Sequence, residues 1–110
     1  MLSKKDITEI NKQLSNGVVL NNSSLDFAVK TNARSRNWLK AAAIFARAIL
    51  IDHVFEDGNK RTAAAVILLL MDLNKVQYDV GQIPRVIVKI LKENITSIKE
   101  IERLIKNAVR

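Results

Sequence analysis

Apolar residues recur along this chain at helical rather than strand spacing. Leu2, Ile7, Ile10 and Leu14 outline one face of a short amphipathic helix, with Ser3 placed to cap its start. From residue 35 or 36 to about residue 52 the chain is apolar almost all round, interrupted by Lys40 and Arg47. Those two charges stand seven apart and share one face, so the rest of that helix must be buried. Residues 62–73 are apolar on nearly every side as well, and two such helices joined by a short loop predict a central antiparallel pair in a helical bundle. Ile83, Val86, Ile87, Ile90 and Leu91 follow the i, i+3, i+4, i+7, i+8 pattern of a further helix, with Pro84 in its first turn and Asn94 as its C-cap. Ser97 and Glu100 have capping-box spacing ahead of a last helix whose inner stripe is Ile98, Ile101, Leu104, Ile105 and Ala108. Residues 18–20 and 76–80 are the only strand-like pieces, too short for a sheet. The predicted fold is all-α.

Composition narrows the class. A length of 110 residues is the size of one domain, residues 1–110, without repeats, low-complexity tracts or a linker. The apolar share of 48% can fill a core, and 26% charged residues excludes a disordered composition. The chain has no cysteine and one histidine, which excludes disulfides, thiolate metal sites and multi-histidine clusters. The N-terminal segment lacks the apolar core of a signal peptide, and the longest apolar run, residues 63–71, is nine residues. A membrane span needs roughly 20, so the expected location is cytoplasmic, with no membrane partner. The net charge of +7 attracts phosphate-bearing partners without naming one. Residues 85–110 hold seven basic and three acidic side chains, spread around helix surfaces with no aromatic platform, so they read as a solvated face and not a nucleic-acid site.

Candidate chemistry concentrates in residues 53–62, between the two buried helices. His53, the sole histidine, closes one helix; Gly58-Asn59 suits a tight or left-handed backbone; Lys60 and Arg61 open the next helix. Cations at a helix N-terminus oppose its dipole by about 0.3–1 kcal/mol each, which a multiply charged anion bound there would offset. Asp57 beside such an anion is placed as a Mg²⁺ ligand, unless it or Asn59 simply caps the helix. His53 is placed to take a proton from an attacking hydroxyl, Phe55 to anchor the loop in the core, and Glu56 to face solvent. Together these are the parts of a phosphoryl- or nucleotidyl-transfer site.

The run His53-Val54-Phe55-Glu56-Asp57-Gly58-Asn59-Lys60-Arg61 resembles the signature of the Fic/Doc (Fido) family, HPFx[D/E]GN[G/K]R, at seven of its fixed positions. Leu25-Asp26-Phe27-Ala28-Val29 is similar to that family's upstream LDSAL-type segment, and the size resembles the smaller Doc-type members. The resemblance implies a transferase that uses Mg-ATP to modify a hydroxyl on a target protein. Most of the family transfers AMP, whereas Doc is a kinase toxin that transfers the γ-phosphate. By the same resemblance His53 is the general base, Asp57 the Mg²⁺ ligand, Gly58 and Asn59 the phosphate nest and Arg61 the clamp on the terminal phosphates, while Lys60, at the nucleotide site, competes for phosphate space and favours a flipped nucleotide.

Three departures bear on the expectation. Val54 replaces the usual Pro, with a small effect expected because Phe55 and the two helices hold the loop. Lys60 replaces the Gly of AMP-transferring members, as in Doc, while Gly58 stands where Doc has Ala; AMP transfer is the first expectation and phosphate transfer the alternative. Residues 31–37 fall where the family has a longer flap that docks the target as an added strand; here the segment is seven residues with Arg34 and Arg36 and few strand formers, so it docks a target weakly or differently, or is a solvated basic loop. No self-inhibitory motif is complete: Thr96 and Glu100 have its spacing but Ile101 follows, so an inhibitor would be a separate antitoxin chain. The rival readings are a nucleic-acid-binding module and a catalytically inactive interaction domain.

Overall fold

The computed structural model describes residues 2–110, which form six helices: α1 (Lys4–Leu14), α2 (Asn22–Asn32), α3 (Trp38–Leu50), α4 (Asn59–Leu73), α5 (Gln82–Lys92) and α6 (Ile98–Lys106). The fold is all-α. Residues 18–20 and 76–80 contribute isolated antiparallel bridges, Val19 with Phe55 and Tyr78 with Val109, and no sheet forms among the described residues. No helix there is long and apolar enough to cross a membrane.

Helix α3 is the hub. It packs against α4, α6, α2 and α5, and α1 lies across α4. Its sequence suits that position. Ala41, Ala42, Ala43, Ala46 and Ala48 are buried beside Phe45, Ile49 and Leu50, and small side chains of high helix propensity let neighbouring helices approach closely on several sides. Helix α4 buries Ala63, Val66, Ile67, Leu70 and Met71, so the predicted central pair is α3 and α4. The stripes Ile83, Val86, Ile87, Ile90 and Ile101, Leu104, Ile105, Ala108 face the core as their spacing requires.

Helix ends depart from the expectations in ways that have local causes. Ser3 caps α1 in a reciprocal capping box with Asp6. Helix α3 begins at Trp38, later than predicted, because the Asn37 side chain accepts from the Lys40 amide and fixes the start there. Helix α5 ends with Glu93 at the C-cap, and Asn94 follows with φ +49, the left-handed position where Asn is tolerated. Ser97 caps α6 by accepting from the Glu100 amide, but the reciprocal half of the box is missing because the Glu100 carboxylate pairs with Arg103. Helix α2 lacks a predicted counterpart: it buries Leu25, Ala28 and Asn32 while leaving Phe27 exposed, which blurs its apolar stripe.

Of the two readings of residues 31–37, the solvated segment fits and a flap beside the loop does not. Residues 31–37 comprise the end of α2 and a turn, and Ser35 and Arg36 lie beside Leu70, Leu73 and Asn74 at the far end of α4. Because α3 and α4 run antiparallel, a whole helix, about 20 Å, separates that segment from the loop at His53. The extended chain that does flank the loop is 18–20, where the Leu20 and Asn21 amides donate to the Val54 carbonyl at 2.7 and 3.1 Å and the Glu56 amide donates to the Val18 carbonyl at 3.0 Å.

Candidate active site

The loop between α3 and α4 is built outward from two buried residues. Val54 and Phe55 are fully buried and hold the loop against the core, while Glu56 faces solvent. Asn59 locks the turn: its Oδ1 accepts from the Phe55 amide at 3.0 Å and its Nδ2 donates to the Phe55 carbonyl at 2.8 Å. The Asn59 carboxamide is therefore committed to the loop, and what it can offer an anion is its backbone N–H.

Neither Asp57 nor Asn59 caps α4. The N-cap is Gly58, in the left-handed region with φ +79 and ψ 17, and no side chain caps the helix. The first amide to close on the chain is that of Thr62, donating to the Gly58 carbonyl at 2.9 Å. The amides of Asn59, Lys60 and Arg61 are thus left at a positive helix end, the arrangement that receives anions. A glycine is required at 58 for two reasons: the backbone is left-handed, and an added Cβ would stand 2.8 Å from the Ser15 Cβ.

Helix α1 supplies the support, and sequence reasoning missed it. Asn11 is fully buried; its Nδ2 donates to the Asp57 carbonyl at 2.9 Å and to the Thr62 Oγ1 at 3.0 Å, and its Oδ1 accepts from the Gly17 amide at 2.9 Å. Ser15, at the end of α1, donates from its hydroxyl to Asp57 Oδ2 at 2.7 Å. The signal for Asn11 was present: a polar residue four after Ile7, inside the apolar stripe. Ser15 left none, because its partner is 42 residues away.

Asp57 is exposed, and the Ser15 hydroxyl, followed by the Gly58 amide and Arg61, holds its carboxyl below the ordinary value of 3.8. Arg61 Nη2 stands 3.6 Å from Asp57 Oδ2, with both side chains more than half exposed. His53 is exposed with φ +55, a left-handed backbone that turns the chain out of α3. Its imidazole makes no hydrogen bond among the described residues. A cavity of about 440 Å³ is lined by His53, Asp57, Gly58, Asn59, Lys60 and Arg61, with the exposed Glu56, assigned to solvent from the sequence, also on its rim and Leu50 of α3 and Leu91 of α5 on its walls. All six residues named from the sequence therefore meet at one concavity.

Fold and loop define a class: an all-helical domain in which two buried antiparallel helices present an uncapped, cation-flanked helix start to a pocket carrying a histidine and a carboxylate. The model of the Fic/DOC family matches residues 4–71, which cover α1, α2, α3, the loop and most of α4, and the chain belongs to that family. No curated protein matches it.

Proposed function

We propose that the protein transfers AMP from Mg-ATP to a Ser, Thr or Tyr hydroxyl of a target protein. The observation that carries this reading is the convergence on one cavity of the unpaired imidazole of His53 with the left-handed Gly58, the open amides of α4 and the Arg61 guanidinium. In this reading His53 accepts the acceptor hydroxyl's proton and the oxygen attacks the α-phosphorus. The bond from that phosphorus to the bridging oxygen breaks, and pyrophosphate leaves. The α4 amides and Arg61 stabilise charge on the phosphate oxygens. Residues 18–20, extended beside the loop with Val18 and Leu20 exposed, offer the nearby edge for an acceptor segment.

The residues fit Mg²⁺ in one way. Both side-chain contacts of Asp57 fall on Oδ2, and no group of three or more His, Cys, Asp or Glu side chains among the described residues could hold a metal. That donor set suits a cation shared between Asp57 and a polyphosphate, the common mode for Mg²⁺, where it would neutralise phosphate charge.

Phosphate transfer is the second reading, favoured by Lys60, whose exposed side chain lies on the cavity wall beside Arg61. A cation there would hold an inverted nucleotide, with attack on the γ-phosphorus and ADP leaving. Glu100 does not line the cavity and is engaged with Arg103, so an inhibitor of this site, where there is one, is not that side chain.

Paired label transfer tests the reading. Purified protein and its His53→Ala variant are incubated with Mg²⁺ and a cell lysate, with ATP labelled at the α- or the γ-phosphate. The expected result is a protein band carrying the α-label that falls by about 10²–10⁴-fold in the variant. A band with the γ-label alone selects the second reading, and equal labelling by His53→Ala overturns the general-base role.

A further inference from the structure

We propose that Ser15 is a positioning residue of this site: its hydroxyl orients the Asp57 carboxylate so that the pairing with Arg61 stays a loose ion pair, the carboxylate is presented to a cation and the guanidinium stays available to phosphate. The inference rests on the nucleotide reading above and assigns to α1 a part in it.

Asp57 and Arg61 are four apart across the start of α4, and an exposed Asp–Arg pair at that spacing tends to close into a two-point contact. Here it does not close. Arg61 Nη2 stays in ion-pair range of Asp57 Oδ2 at 3.6 Å, longer than a hydrogen bond, while the Ser15 hydroxyl donates to the same oxygen at 2.7 Å. The donor that wins comes from another helix and is held from three directions. The Ser15 amide donates to the Asn11 carbonyl at 2.6 Å, and its backbone leaves α1 with φ −157. Asn11, fully buried, ties α1 to the Asp57 carbonyl and to Thr62. The Ser15 Cβ rests over Gly58, in the space that any larger residue at 58 would need.

These observations account together for features that are otherwise unconnected. Gly58 gives Ser15 room to lie against the loop, Asn11 fixes the height of α1 over it, and the hydroxyl then reaches one carboxylate oxygen. Supporting hydrogen bonds to a metal-binding carboxylate orient the ligand, and their removal commonly lowers metal affinity by about tenfold or more.

The test uses Ser15→Ala and the hydroxyl-retaining Ser15→Thr in the full chain, with two readouts. In the nucleotide-free protein, ¹⁵N relaxation of the Arg61 Nε–H should show that side chain mobile in the wild type and in Ser15→Thr, and rigid in Ser15→Ala as it closes onto Asp57. With ADP present, calorimetric titration of Mg²⁺ should give about tenfold weaker affinity for Ser15→Ala, with ADP affinity in chelator unchanged. Unchanged Arg61 mobility in Ser15→Ala overturns the proposal, as does an equal loss of metal-free ADP affinity, which would mark a merely structural residue. If the wild type takes up no Mg²⁺ with ADP, the nucleotide reading fails, and the Arg61 relaxation still decides the part played by Ser15.

Discussion

His53 carries the sharpest conflict between chemistry and backbone. A β-carbon in the left-handed region costs about 1–2 kcal/mol, and His53 sits there at φ +55. The side chain is exposed, so packing does not explain why the position is not glycine. Both His53→Ala and His53→Gly should lower transfer by about 10²–10⁴-fold, but only the glycine relieves the strain. Offsetting its larger unfolded-state entropy, His53→Gly should exceed His53→Ala in stability by about 0.5–1 kcal/mol in urea unfolding. A His53→Gly variant about 0.5–1 kcal/mol less stable than His53→Ala would mean that the left-handed turn stores no strain. Asn59 shows the opposite division of labour: its carboxamide serves the loop through Phe55, leaving only its amide to serve the pocket.

Among the elements, α1 is the one that converts a loop into a site. Asn11 makes three hydrogen bonds from a fully buried position, to the loop, to α4 and to the chain leaving α1. Asn11→Ala strands the buried Thr62 hydroxyl and two part-buried partners, a loss of about 2–3 kcal/mol. The damage should be local: hydrogen exchange is expected to quicken at the Gly17 and Thr62 amides while α5 and α6 keep their protection. A uniform increase across all six helices would mean that Asn11 supports the core and not the loop. Helix α3 contributes differently. Its alanines let α2, α4 and α6 pack around it, which fixes the end from which His53 emerges.

Over the whole molecule, three carboxylates are held below their ordinary values: the exposed Asp57 by Ser15 and Asp6 by Ser3, and the half-buried Glu100 by Arg103. A lowered folded value means that the contribution to stability is present above the unfolded value and lost as pH falls through the folded one. Thermal unfolding should therefore be level from neutral pH to about pH 5 and decline below about pH 4. The decline should steepen at low salt, because protonation adds positive charge to a chain already at +7. A melting temperature that rises on acidification would count against all three contacts. The helices other than α2, their buried faces and the residues that meet at the cavity were legible in the sequence, because hydrophobic period and a contiguous motif are local properties. Helix α2 was not, since Phe27 breaks its stripe, and the role of residues 31–37 stayed open because distance along the chain does not reveal which end of an antiparallel pair a segment reaches. The sequence by itself determined an all-helical chain with His53, Asp57, Gly58, Asn59, Lys60 and Arg61 on one loop. Only the tertiary structure decided that α1 lies over that loop, that Ser15 and Asn11 hold it, and that residues 18–20 flank it. Those contacts join positions more than 30 residues apart, and no local pattern encodes them.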